Sequence, residues 1–449
     1  METFSGTRLA VNTQTPLLRF VDGEAKQTTG GVVRMLVPLL QRWQASGRIA
    51  AAEWIAMGGE GDEQVLHHDG LDLSFVSLPE ADKRGYALVK ERMWELLNSN
   101  PSTPVPHGEG GIPEDAWNAF DAYQAQTAQK LTEASERLGG LDALYIHDFQ
   151  QLGVAAAWKG RDVPKVFHLH TPFPSVLPSG WADYFVAHLN RYDAVVVSTR
   201  RYAQNLRAAG LEGRIDVIHP FIDPASYPRA QAGLTGEFRD RFGIGERDRL
   251  ILNVGRMDPM KGQDRLVEAM PRILAKQPDA RLVLVGNGSF SSSKRGGLGL
   301  DKGKEWRASL EALAKRLGVA ERVTFTGHLG DEPLAAAYDA CEVFALPSTR
   351  EGFGLAAIEA WRNGKPVVVS DRAGVSELIE EGVNGASVDC GDVQRLADAL
   401  VAMLSDPDAA REMGRAGLRT SAAATIETGQ RALEAVFEEV LGERALALA

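Results

Sequence analysis

Only 2 cysteines occur in 449 residues, Cys341 and Cys390, in separate segments and without a CxxC or Cys/His cluster. Their scarcity excludes a disulfide-held fold and a thiolate zinc motif, and it suits a reducing compartment. No apolar run reaches the ~18 residues that a membrane-spanning helix needs. The opening residues, MetGluThrPheSerGlyThrArg, lack the basic-then-apolar pattern of a secretory leader. A cytoplasmic protein without a membrane span is therefore expected. Positive charge is also short. Lys and Arg number 49 against 60 Asp and Glu, leaving a net charge of −11, which argues against nucleic acid or an anionic membrane surface as a partner. An anionic ligand would need a local basic pocket. What remains is ordinary for a globular chain, 44% hydrophobic and 24% charged, with room for two or three domains at roughly 150 residues each.

Short apolar runs alternate with longer helical patterns, at residues 8–11, 143–146, 166–169 and 194–197. This is how a parallel sheet with crossover helices is written. The alternation restarts after a polar stretch from Asp223 to Asp248, with runs at 250–254, 282–285, 323–325, 343–346 and 367–369. The pattern predicts an α/β protein of two doubly wound, Rossmann-like domains, 1–222 and 223–426. A closing helix over 427–449 is expected to pack back on the first. Open sheets of this kind bind ligands beyond the carboxyl ends of their strands, so two facing sheets are expected to make a central cleft. Two irregular stretches interrupt the pattern, 98–114 and 286–305, the second holding Lys294, Arg295, Lys302 and Lys304. Loops of that length are more often functional than inert.

The strongest local signal is GluGlyPheGlyLeuAlaAlaIleGlu, residues 351–359, after the apolar run that ends in Leu346. Its glycines suit a tight turn into a helix. With both carboxylates on that helix, Glu351 and Glu359 would lie roughly 12 Å apart along the axis, suited to gripping two ends of an extended ligand. The helix start between them offers amides to a phosphate. The plainer reading is two exposed helix glutamates. Nearby in the pattern, ValGlyArgMetAspProMetLysGly at 254–262 puts Arg256 and Lys261 on one turn after a strand, where they could converge on a diphosphate or be a solvated basic turn.

These pieces, with LeuValLeuValGlyAsnGly, PheThrGlyHisLeu and GlyLysProValValValSer in that order, make residues 249–395 resemble the donor domain of retaining family 4 glycosyltransferases of the GT-B fold. The resemblance implies that Arg256 and Lys261 hold a nucleotide diphosphate, Glu351 binds donor-sugar hydroxyls and Glu359 the ribose. Gly352, Phe353, Gly354 and Leu355 complete the donor turn, and the loop near Leu329 meets the base through its backbone.

In the first half, ThrGlyGlyValValArgMetLeuValProLeuLeu (29–40), TyrIleHisAspPheGlnGlnLeu (145–152) and HisLeuHisThrProPheProSer (168–175) are similar to trehalose-6-phosphate synthases and to non-phosphorylated trehalose synthases of family 4. By that resemblance Gly30 and Gly31 let donor phosphates approach backbone amides, Asp148 binds an acceptor hydroxyl, and His170 bonds the donor sugar. Tyr86 and Trp94 loosely match acceptor-side aromatics. Each has a plainer reading: a turn for the glycines, a helix cap for Asp148, a structural imidazole for His170, core packing for Tyr86 and Trp94. The chain departs from the synthases in two places. Their AsnArg pair, whose Arg meets an acceptor phosphate, is replaced by AsnThrGlnThr at 12–15, with Arg19, Lys26, Arg34 or the 294–304 segment left to compensate. Their Asp before the turn glycine is Glu351 here, in the family 4 manner.

The resemblance implies retaining transfer of a hexosyl, chiefly glucosyl, unit from a nucleotide sugar to a small sugar or polyol. The product would be a trehalose-like or glucosylglycerol-like compatible solute. An epimerase or hydrolase on the same fold is the alternative among enzymes, and a regulatory binding protein the alternative outside them. Three histidines, His147, His168 and His170, stand near one strand end, but no metal or other cofactor is expected, because HisLeuHis sets His168 and His170 on one strand face without a third ligand in the required geometry, and His147 reads as structural. The expected partners are the two small-molecule substrates, with self-association left open.

Overall fold

The computed structural model describes residues 3–21, 24–28, 30–58, 65–98, 105–108, 111–160, 162–178, 180–227, 230–231, 233–288 and 300–448. The chain divides into two compact units, Met1–Pro220 with Ile426–Ala449, and Phe221–Thr425.

The first unit runs β1 (Thr7–Thr13), β2 (Leu18–Val21), β3 (Glu24–Gln27), α1 (Gly31–Ala45), β4 (Ile49–Met57), β5 (Leu66–His68), β6 (Leu71–Val76), α2 (Glu80–Leu97), α3 (Glu114–Arg137), β7 (Ala143–His147), α4 (Val154–Ala157), β8 (Lys165–Leu169), α5 (Trp181–Leu189), β9 (Ala194–Val197), α6 (Arg200–Ala208) and β10 (Ile215–Val217). Its sheet has the order β10-β9-β8-β7-β1-β4-β6-β5, while β2 and β3 form a separate hairpin. All neighbours in the sheet pair parallel except β5 with β6. Helices cover both faces, which is why strands such as AlaValValVal in β9 are apolar throughout and buried. β4 is less legible, because an acid stands in its middle. Glu53 is fully buried there, bonded by Ser74 and by Arg137, whose Nε lies 3.2 Å from Oε2. A buried carboxylate is tolerated only when paired in this way.

The second unit runs α7 (Leu234–Arg241), β11 (Arg249–Val254), α8 (Gln263–Lys276), β12 (Ala280–Val285), α9 (Leu300–Arg316), β13 (Val323–Gly327), α10 (Asp331–Ala340), β14 (Val343–Leu346), α11 (Leu355–Arg362), β15 (Val367–Ser370), β16 (Gly385–Val388), α12 (Val393–Ser405) and α13 (Pro407–Thr420). Its sheet is wholly parallel, in the order β13-β12-β11-β14-β15-β16. Strand alternation sorts the core: Leu250 and Leu252 of β11 pack into one apolar cluster and Ile251 into the other. The tract expected to be irregular over 286–305 is already helical from Leu300, the start of α9. Its residues 289–299, Lys294 and Arg295 among them, lie outside the described residues.

The last helix, α14 (Ile426–Leu448), belongs to the first unit. Phe437 is buried against Phe4, Trp43 and Tyr145, with ring centroids 5.0, 5.6 and 5.4 Å away. Trp43 Nε1 donates to Glu434 at 3.0 Å, and Arg48 reaches Glu438 at 3.2 Å. In each sheet the strand order turns at one central strand, β1 in the first and β11 in the second. The crevice at the carboxyl ends of these strands is where a doubly wound sheet takes ligands.

Candidate functional site

In the second unit the turn after β11 carries Arg256 and Lys261. Asp258 caps it by accepting from Met260 N at 3.0 Å, and Gln263 Nε2 donates to Arg256 O at 2.8 Å. The turn closes on Gly262, at φ +68°, where a Cβ would stand 2.1 Å from Pro347 O. Only glycine lets the Lys261 turn approach the end of β14 this closely. The result is an ion pair between them: Lys261 Nζ lies 2.5 Å from Glu351 Oε2, with Ser348 Oγ 3.3 Å from the same oxygen. Arg256 sits half-buried beside it. Burial pulls its pKa down, and the carboxylates of Asp258 and Glu351 oppose that pull.

Glu351 is not on the helix that the spacing predicted. It forms a β-bridge with Ala373, and α11 starts four positions later, after Gly354. Gly354 holds φ +106°, and a Cβ there would meet Leu346 Cδ2 at 2.7 Å. The chain must therefore turn before it can become helical. Of the two carboxylates only Glu359 is helical, and the separation estimated along one helix axis does not apply. Glu359 accepts from the buried Tyr338 hydroxyl at 2.8 Å and lines a concavity with Tyr227, Asp331, Tyr338 and Arg362. Leu329 and Phe353 are buried in the core, so only their backbone is available to a ligand. Gly352 and Leu355 are half-buried at the turn and the first helical position.

In the first unit Asp148 follows β7 at φ +66°, ψ 163°, a conformation almost confined to glycine. Its N–H donates to His168 O at 2.8 Å, and its carboxylate accepts from Thr171 N and Oγ1 at 3.2 and 2.6 Å. It caps no helix with its side chain. Strain held by neighbours in this way marks positions built for function. His170, two residues past His168 on the same face, is half-buried. Its Nε2 lies 3.0 Å from His147 Nδ1, the two rings parallel within 2°. His168 is fully buried, with Nδ1 2.7 Å from the Tyr145 hydroxyl.

His147 stands beside the pair formed by His168 and His170. β7 and β8 pair in a register that sets His147 opposite His168, so one nitrogen from each of His147, His168 and His170 falls within 4.8 Å of the others. Burial pushes the pKa of His147 and His168 well down, and that of His170 down, against the opposing pull of Asp148. The signal lay in two strand ends, and only their register joins it.

Gly30 caps α1 at φ −70°, and among the described residues, chain neighbours and the helix's own turn aside, no atom lies closer than 3.9 Å to a Cβ built on Gly30 or Gly31. A turn does not account for these glycines. The space beside them is open at a helix start, where backbone amides point outward. Tyr86 corrects the acceptor-side reading. It is 3% exposed in the core, its ring 5.8 Å from Phe120 and 4.8 Å from Tyr123, and only its hydroxyl reaches a half-buried group, Gln14 Nε2 at 3.1 Å. Trp94 packs partly buried against the same core. Lys302 and Lys304 stand on α9, and no described helix is long and apolar enough to cross a membrane.

Residues 64–226 match the family described as Glycosyltransferase Family 4, and residues 235–420 match Glycosyl transferases group 1. The chain is 32% identical over 307 residues to a D-inositol 3-phosphate glycosyltransferase of Nocardia farcinica, covering 64% of each chain. It is 33% identical over 228 residues to a GDP-mannose-dependent alpha-(1-6)-phosphatidylinositol monomannoside mannosyltransferase of Mycobacterium tuberculosis, covering 49% of this chain and 54% of that one. The alignments thus span less than two thirds of these relatives' length. Among solved structures, trehalose 6-phosphate synthase from Burkholderia multivorans superposes with a TM-score of 0.76 at 18% identity, over 99% of both chains. The fold is GT-B, two Rossmann-like α/β domains. Both halves therefore match glycosyltransferase family models, a family 4 region followed by a group 1 region, on a chain with the GT-B fold.

Proposed function

We propose that this chain moves a hexosyl unit from a nucleotide sugar to a small sugar or polyol hydroxyl, with retention at the anomeric carbon. The observation that carries this reading is the gathering of Arg256, Lys261 and Glu351 at the turn into α11. In the reaction the bond from the anomeric carbon to the diphosphate oxygen breaks, and negative charge builds on the leaving group. Two cations and the amides at the start of α11 are suited to stabilise that charge. Glu351, held by Lys261 and Ser348, is placed to grip sugar hydroxyls. Glu359, half-fixed by Tyr338, is assigned to the ribose. Asp148 and His170 bind the acceptor and the donor sugar, and the open space at Gly30 and Gly31 admits phosphate oxygens. Retention is assigned to front-face attack: the acceptor oxygen bonds to the anomeric carbon while its proton passes to the departing phosphate oxygen. No metal enters this reaction.

The acceptor is assigned as an uncharged polyol or sugar, giving a compatible-solute type of product. At the stretch that replaces the synthases' AsnArg pair, Asn12 is buried and donates to Ile55 O at 3.0 Å, and Thr13 accepts from Trp54 Nε1 at 2.8 Å. Both side chains are built into the fold, and neither supplies a cation for an acceptor phosphate. The relatives named for inositol 3-phosphate and phosphatidylinositol monomannoside add cyclitols to the acceptors worth testing. The test is nucleotide diphosphate release from UDP-, GDP- and ADP-glucose and from GDP-mannose. Glucose, glycerol and inositol would each be compared with its phosphate ester, with Glu351→Ala as control and the product's anomeric configuration read by NMR. Release that depends on an acceptor and vanishes in the variant supports the proposal. Release into water alone indicates a hydrolase, and an inverted product overturns retention.

A further inference from the structure

We propose that His147, His168 and His170 form a binding site for one divalent transition-metal ion of the zinc class. Zinc–nitrogen bonds of about 2.0–2.1 Å put tetrahedral ligand atoms roughly 3.3 Å apart. His147 Nδ1 and His170 Nε2 already stand 3.0 Å from one another, and the widest separation within the three-nitrogen set is 4.8 Å at most. Closing that difference takes side-chain movement of up to about 1.5 Å.

Three further observations point to a ligand. The Nε2 atom of His168 is buried and has no hydrogen-bond partner among the described residues, although the residue is 0% exposed. Buried polar atoms are rarely left in that state. His168 Nδ1 lies 2.7 Å from the Tyr145 hydroxyl; in the tautomer that donates Nδ1–H to that oxygen, Nε2 keeps its lone pair and the ring is fixed as outer partners fix metal-ligating histidines. The scaffold is stiff as well: two of the ligands are register neighbours on paired strands, and the third follows on the same face.

The donor chemistry selects the ion. Three neutral imidazoles suit zinc, cobalt, nickel or copper, whereas magnesium and calcium demand oxygen. Three protein ligands leave one position for water, and the half-buried His170 gives a path of entry. Asp148, which acts electrostatically on His170, supplies nearby negative charge. His170 is shared with the donor-sugar contact proposed above, so the ion is assayed without donor, and the result stands whether or not that contact exists.

The experiment uses the full chain without a histidine tag, stripped with a chelator and titrated with Co2+ and then Zn2+. Calorimetry and the visible absorption of bound cobalt are the readouts. Expected are one ion per chain, a tetrahedral cobalt spectrum displaced by zinc, and affinity weakened at least 100-fold in His147→Gln and in His168→Gln. Tyr145→Phe should weaken it about 10-fold through the lost outer partner. Should the buried substitutions unfold the chain, as judged by circular dichroism, the half-buried His170→Ala serves instead with the same expected loss. Absence of a stoichiometric ion in the wild-type chain, or equal uptake by wild type and folded variants, overturns the proposal.

Discussion

Lys261 Nζ and Glu351 Oε2 meet at 2.5 Å, although 90 residues separate them in sequence. Each side chain is about one-seventh exposed, at 15% and 14%. Separate strand ends, β11 and β14, thus deliver opposite charges to one point, with Arg256 alongside.

If that point stabilises a departing diphosphate, Lys261→Ala and Glu351→Ala should each lower kcat/KM by about 10²–10³. The double variant should lose less than the product of the two, because the partners act as a unit. Nucleotide diphosphate release measures this. A pair that only braced the turn would lower the melting temperature and leave kcat/KM of the folded fraction unchanged.

Asp148 separates strain from chemistry. Its backbone lies at φ +66°, which glycine adopts freely, so Asp148→Gly should be more stable than Asp148→Ala by about 1–2 kcal/mol in denaturant unfolding. Both should be inactive, since both lack the carboxylate. Equal stability of the two would mean that the position is not strained.

Tyr86 offers the converse test. Buried against Phe120 and Tyr123, it should cost about 3–5 kcal/mol as Tyr86→Ala. Tyr86→Phe removes only the Gln14 contact and should cost about 1 kcal/mol, with acceptor KM unchanged. A raised KM in Tyr86→Phe would restore this residue to the acceptor side.

The pH response of the second unit should run partly through Asp248. Burial works against its charge, but the Gly245 N–H at 2.9 Å and Arg281 and Arg322 at 2.7 and 2.9 Å outweigh it, and the carboxyl is held below its ordinary range. A depressed pKa contributes stability that is complete above the unfolded value of about 3.9 and is lost as pH falls through the folded one. Asp248→Asn should therefore cost about 1–3 kcal/mol near pH 7. The gap from wild type should narrow below about pH 4, as urea unfolding at several pH values would show.

The residues that read most clearly were those whose partners are near in sequence or at the ends of apolar runs. Arg256 and Lys261 share one turn after a run that could only be a buried strand, and the glycines before α11 announced a turn. What misled was local extrapolation. Spacing alone put Glu351 on the helix, but the backbone at Gly354 delays the helix start. The three histidines were visible near one strand end, but their geometry was not. His147 and His168 become neighbours only through the register of β7 and β8, a tertiary fact that neither segment encodes alone. β4 was masked by its acid, which becomes reasonable only once Arg137 of α3 is known to reach it.

The return of α14 to the first unit has a consequence for the order in which the protein is made. Phe4, Trp43 and Tyr145 emerge early from the ribosome, yet Phe437, which covers them, is translated only after the whole of residues 221–425. At about 5–20 residues per second that interval lasts roughly ten to forty seconds. Throughout it the nascent first unit presents an uncovered aromatic face, the kind of surface that chaperones hold. The first unit therefore cannot complete its aromatic cluster until the chain of the second has been made.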